Sequence, residues 1–228
     1  MNGSLGVVML ETHFPRPPGD IGNPGTFAFP VRYRTVQGAS PQRVVVARDP
    51  ALLAPFIDAA RALEGEGVAA VTTSCGFLAL FQREMAAALA VPVWTSSLLL
   101  VAELEAGRRD GRRAGVVTAD AGSLSADHLR AVGARADTPC EGLAPGSRFR
   151  ATVLEDRAEL DVDEAERATV AAAQRLVARH PEVAAIVLEC TNMPPYASAV
   201  RVATGLPVHD ITTLVRARLA AATTRSEP

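Results

Sequence analysis

Shifting the sequence by 115 residues lays Ala69-Ala70-Val71 on Ala184-Ala185-Ile186, Cys75 on Cys190, and Val91-Pro92-Val93 on Leu206-Pro207-Val208. Leu99 and Leu100 then fall on Leu214 and Val215, and no gap interrupts the match. Upstream, Gly6-Val7-Val8 resembles Gly115-Val116-Val117 at an offset of 109. Apolar matches alone arise readily between any two βαβ units of an Ala/Val-rich chain. A cysteine and a proline kept at the same 17-residue separation are harder to obtain by chance, and they point to an internal duplication. The 228 residues therefore divide into two similar halves, 1–107 carrying Cys75 and 108–228 carrying Cys190.

Within each half, short apolar runs alternate with helical patterns. Residues 6–10, 44–47, 69–73, 91–95, 115–118, 184–188 and 207–209 read as strands. Helical patterns cover 50–63, 76–90, 97–105, 123–132, 161–180, 195–204 and 212–221. Asp49 is placed to cap the first of these, with Pro50 at its first position. Helix 161–180 is acidic at its start and basic at its end, as the helix dipole favours. This alternation predicts an α/β fold: two pseudo-symmetric parallel-sheet halves with the active site in the cleft between them. The last helix is expected to pack on the first half.

Composition removes several functions. All 23 basic residues are arginine. Without lysine there is no pyridoxal phosphate Schiff base, no Gly-Lys-Ser/Thr phosphate loop and no amine-dependent aldolase chemistry. A formal net charge of −2 gives no field for nucleic acid or anionic lipid. Residues 85–102 form an uncharged run of membrane-spanning length, but Pro92 and Thr95-Ser96-Ser97 break it into a helix end, a strand and a helix start. The first ten residues, MNGSLGVVML, lack the basic and long apolar regions of a signal peptide. Three widely separated cysteines suggest neither a disulfide framework nor a structural zinc site. A cytoplasmic location, no membrane, no nucleic-acid partner, no metal and no cofactor are expected.

Cys75 and Cys190 each fall at the carboxyl end of a predicted strand, just before a helix. Open parallel sheets bind ligands at that edge. Free amides and the helix dipole there are expected to lower the thiol pKa and to hold a carboxylate or an enolate oxygen. Pseudo-two-fold symmetry then puts the cysteines on opposite walls of one cleft. One thiolate takes a proton from a carbon acid while the other thiol delivers one to the opposite face, inverting a stereocentre without a cofactor.

Thr72-Thr73-Ser74-Cys75-Gly76-Phe77 and Leu188-Glu189-Cys190-Thr191-Asn192-Met193 resemble the paired cysteine motifs of the aspartate/glutamate racemase superfamily. This superfamily also includes hydantoin racemase, maleate isomerase and arylmalonate decarboxylase. The resemblance implies that Cys75 and Cys190 are the catalytic pair, acting on a small carboxylate or hydantoin-type substrate. It implies further that the protein needs no cofactor and forms a homodimer or higher homo-oligomer. Amino-acid racemases of this type usually carry Cys-Asn-Thr where this chain has Cys75-Gly76-Phe77. Arylmalonate decarboxylases keep only one of the two cysteines. Ser74, Gly76, Phe77, Thr191 and Asn192 are the substrate-binding candidates within the motifs, and Thr118, at another strand end, joins them.

Residues 11–41 find no counterpart in the second half and hold four of the ten aromatic residues. Loops of this length in compact domains are usually functional or disordered, and the aromatic content argues against disorder. The segment reads as a substrate lid or wall, with Arg32 or Arg34 meeting a substrate carboxylate and Asn23 hydrogen-bonding it. Cys140 reads as a bystander, and Glu189, pointed away from its neighbour by strand alternation, as structural. The leading expectation is a cofactor-independent racemase or epimerase. The alternatives are a maleate-type cis-trans isomerase with a nucleophilic cysteine and a non-catalytic binding protein on the same scaffold.

Overall fold

A computed structural model describes residues 3–106 and 110–224. The boundary drawn between residues 107 and 108 lies outside the described residues. In the first half, β1 (Leu5–Leu10) is followed by β2 (Val31–Val36), α1 (Leu53–Gly65), β3 (Ala70–Thr73), α2 (Gln82–Ala88), β4 (Val93–Trp94) and α3 (Leu99–Glu105). The second half contains β5 (Arg113–Thr118), α4 (Ala126–Ala131), β6 (Cys140–Gly142), α5 (Arg148–Glu155), α6 (Val162–Arg179), β7 (Val183–Leu188), α7 (Ala197–Thr204), β8 (Val208–His209) and α8 (Ile211–Thr224). The strands form two four-stranded sheets, ordered β2-β1-β3-β4 and β6-β5-β7-β8, and every pairing is parallel. Position for position the two orders are the same, which is the α/β architecture expected from the repeat.

The repeat is also visible in the packing. Gly6 on β1 leaves room for Leu63 of α1, 3.2 Å from where a Cβ would sit. Gly115 on β5 does the same for Leu176 of α6, at 2.8 Å. Each glycine lets a long helix settle on its sheet. Both helices present small or apolar residues at helical spacing, Phe56, Ala59, Ala60 and Leu63 on one and Ala165, Thr169, Ala172, Ala173 and Leu176 on the other.

Two helices cross between the halves. Leu98 and Val101, at the start and on the buried face of α3, pack with Ala114 and Val116 of β5, Val187 of β7 and Leu129 of α4. Ile211, Leu214 and Val215 of α8 pack with Leu5, Val7 and Met9 of β1, Ala70 of β3 and Trp94 of β4. The helix that closes each half is thus buried on the other half's sheet.

The structure corrects two local expectations and meets a third. Residues 44–47 are not a strand: the first three lie in a π-helical turn, Gln42–Val46, with Val44 and Val45 buried, and Ala47 caps it. A short apolar run does not by itself distinguish strand from helix. Segment 11–41 is not wholly loop, since its last part is β2, on the edge of the first sheet. Its positional counterpart is β6, which begins at Cys140. Residues 85–102 are divided among α2, β4 and α3, and no helix among the described residues is long and apolar enough to cross a membrane.

Candidate active site

Both cysteines sit two residues beyond a central strand. Cys75 follows β3 with an extended backbone and opens a short 3₁₀ helix, Gly76–Phe81. Cys190 follows β7 and Glu189. Both thiols are free and buried, and both line one cavity, whose volume counted to its mouth is about 390 Å³. The walls are mostly apolar: Leu10, Phe14, Pro41, Val45, Phe77, Ala119, Val153 and Leu154. Ser74, Gly76, Thr191 and Asn192 line it as well, so five motif residues meet around the two thiols as the sequence suggested.

Several of these groups brace the walls. Thr191 Oγ1 donates to the Ser74 carbonyl at 2.6 Å, joining the two motifs directly. Ser74 Oγ accepts from the Leu10 amide at 2.8 Å. Cys190 Sγ donates to Asn192 Oδ1 at 3.5 Å, and Asn192 Nδ2 donates to Asp20 Oδ2 at 2.6 Å.

Asp20 belongs to the segment 11–30, which forms part of the cavity wall through Thr12, Phe14 and Arg16. Arg16 donates to buried Asp20 at 2.9 Å and to Thr12 Oγ1 at 2.9 Å, and its guanidinium lies 4.7 Å over the Phe14 ring. The segment is fastened to the second half: Asp156 accepts from the His13 amide at 2.6 Å, and Gly19, at φ 98°, packs against Pro195. The cation on the cavity is therefore Arg16, which sequence reading passed over in favour of Arg32 and Arg34. These two sit on edge strand β2, each paired with Glu66 at 3.3 and 2.7 Å, outside the cavity. Asn23 is also outside, holding its own turn by donating to the Arg16 carbonyl and accepting from the Gly25 amide. Thr118 does not line the cavity either; its hydroxyl donates to Glu189 Oε2 at 2.6 Å.

Glu189, read from the sequence as structural, is a second residue whose place at the site was missed. It lies beyond the end of β7, where alternation no longer governs its direction, and it is a wall of the cavity. The side chain is fully buried, and Oε1 has no hydrogen-bond partner. A Cβ on Gly76 would collide with that oxygen and with the Glu189 carbonyl, so only glycine allows the two motifs to approach this closely. Burial pushes the Glu189 carboxyl up to about 7.

The thiols differ from expectation. Burial first, and then the Glu189 charge, push Cys75 up to about 12. The amides of Phe77 and Leu78 and the Arg16 charge oppose this shift without overcoming it. Cys190 is also pushed well above the ordinary thiol value, by burial and then by Glu189, with the Asn192 amide working the other way. The expected helix-terminus effect is present but smaller than the cost of burying a thiolate. Among the described residues no group of His, Cys, Asp and Glu side chains is arranged to hold a metal ion.

Two matched parallel-sheet halves that close on one cavity, with a cysteine contributed by each, define a racemase-like α/β fold. Residues 47–218 match the family model for Asp/Glu/hydantoin racemase, and the chain belongs to that family. It is 35% identical to a dimethylsulfoniopropionate lyase of Durusdinium sp. clade D, covering 92% of this chain and 71% of the relative. It is 34% identical to dimethylsulfoniopropionate lyase 3 of Emiliania huxleyi (strain CCMP1516), covering 95% of this chain but 59% of the longer relative. Unliganded arylmalonate decarboxylase shares the fold, with a TM-score of 0.59 at 20% identity over 96% of this chain and 92% of that one.

Proposed function

We propose that this protein is a lyase that splits dimethylsulfoniopropionate, or a close relative of that sulfonium acid, by β-elimination. The observation that carries the reading is the identity of about a third, over more than nine-tenths of the chain, to proteins named for that activity. The expected racemase and the proposed lyase share their first step, removal of a proton from the carbon beside a carboxylate. They differ in what the electron pair does next. Inversion requires a second acid on the opposite face. Elimination requires a leaving group on the next carbon, and dimethyl sulfide leaves without needing a proton.

Cys75 is the base in this reading. Two backbone amides and Arg16 favour its thiolate, against the single amide at Cys190. The Cys75 thiolate takes the proton from carbon 2. The C–H pair becomes the carbon 2–carbon 3 double bond, and the carbon 3–sulfur bond breaks with both electrons going to sulfur. The products are acrylate and neutral dimethyl sulfide, and the thiol returns its proton to solvent. Arg16 and the amides after Cys75 hold the substrate carboxylate, where negative charge builds as the proton leaves.

The test is dimethyl sulfide in the headspace and acrylate in the proton NMR spectrum after incubation with dimethylsulfoniopropionate. Cys75→Ser is expected to lower the rate by about 10³-fold, the usual scale for losing a positioned base. A wild-type rate retained by this variant would end the assignment. The racemase reading is favoured by one observation, the second cysteine on the same cavity. Incubation in D2O with both enantiomers of aspartate, of glutamate and of substituted hydantoins separates the two: exchange with inversion, and no sulfide from the sulfonium acid, would put racemisation first.

A further inference from the structure

The charges around the cavity do not balance. Arg16 is compensated by Asp20, its ion-pair partner at 2.9 Å. Among the described residues no cation is paired with Glu189, and the one hydrogen bond to its carboxyl is from neutral Thr118. One carboxyl oxygen is left bare beneath Gly76, which is itself a wall of the cavity. A buried carboxylate is costly to ionise unless a positive charge reaches it. The other walls are mostly hydrocarbon and aromatic, and the neutral polar groups among them are already engaged: Thr12 with Arg16, Ser74 with the Leu10 amide, Thr191 with the Ser74 carbonyl, and Asn192 with Cys190 and Asp20, which leaves few free acceptors for the N–H groups of an ammonium. The cation that fits such a place carries methyl groups in place of N–H donors.

We propose that the Glu189 carboxylate is the counter-ion for an alkylated onium group on the substrate, and that it selects sulfonium-type carboxylates over uncharged carboxylates of the same shape. The inference rests on the lyase reading for the position of the onium group, two carbons from the carboxylate. It assigns Glu189 a part in specificity and leaves proton abstraction to the thiol. The carboxyl raised by burial agrees with a group that lacks a positive partner among the described residues.

A pair of non-reacting probes isolates the charge. 3-(Trimethylammonio)propionate and 4,4-dimethylpentanoate have the same shape and differ only in nitrogen for carbon. Isothermal titration calorimetry of the wild-type protein is expected to show the onium compound binding at least about tenfold more tightly, or about 1.4 kcal/mol. Glu189→Gln is expected to bring the two affinities to within about twofold. Should that variant not fold, by circular dichroism, Glu189→Met removes the charge at similar volume and serves in its place. Equal affinities in the wild type, or a preference that survives in the uncharged variant, would overturn the proposal. An intact onium preference in a protein that releases no dimethyl sulfide would sink the lyase reading and leave the counter-ion standing.

Discussion

At the scale of single residues, the site makes its acids harder to ionise by burying them. Cys75, Cys190 and Glu189 share one small cavity; burial makes each harder to ionise, and the Glu189 charge adds to this for both thiols. Thiols so placed should resist alkylation near neutrality, because only the thiolate attacks. We expect iodoacetamide modification of both to stay slow until the solution is strongly alkaline. Replacing Glu189 by Gln removes a negative charge that pushes both thiols up, so modification should begin at lower pH. Mass spectrometry of alkylated peptides checks this, and identical pH profiles in the two proteins would refute it. The same carboxyl makes stability depend on pH. Folding raises it from 4.5 to about 7. Between those values the folded chain holds a proton that the unfolded chain has lost, so the wild type is progressively destabilised as pH rises through this window, by about 3 kcal/mol in all. The advantage of Glu189→Gln over wild type in urea melts should therefore grow from pH 4.5 to pH 8. A constant difference would mean that the carboxyl titrates normally.

At the scale of elements, the turns after β3 and β7 make the site, and one glycine sets their distance. Gly76→Ala puts a methyl group into the Glu189 carboxyl and carbonyl. Overpacking of this kind costs about 1–3 kcal/mol. We expect a lower melting point together with a large loss of turnover, since both motifs must shift; unchanged melting would show that the 3₁₀ helix yields easily. The same scale explains what was legible in the sequence. Long helices announced themselves through their apolar stripes, and the cysteines through their shared spacing from a proline. Edge strands β2 and β6 did not: one hides at the end of a Pro- and Gly-rich segment, and the other is three residues long. Arg16 gave no periodic signal, because its pairing with Asp20 and Thr12 belongs to an irregular loop. Val153 and Leu154 reach the cavity from α5, a helix too short and polar in its first turn to stand out.

At the scale of the whole molecule, the exchange of α3 and α8 makes the two halves depend on each other. Ile211, Leu214 and Val215 are all fully buried, each worth about 1.5–3 kcal/mol of transfer free energy, and what they cover is the other half's sheet. We expect one calorimetric transition for the intact chain and no folded product from residues 1–106 expressed alone. Two resolved transitions, or a folded fragment with a dispersed NMR spectrum, would show that the halves are independent. The cavity benefits from this arrangement, because its two cysteines are carried on sheets that cannot drift apart without unfolding either.

The exchange also bears on synthesis. Ribosomes release the first sheet long before residues 211–224 exist. Until then the face of β1, β3 and β4 that α8 will cover, with Leu5, Val7 and Trp94, lacks the cover of Ile211, Leu214 and Val215. The nascent chain must wait with a sticky surface uncovered, so its maturation depends on translation speed and on chaperones in a way that the finished fold does not disclose.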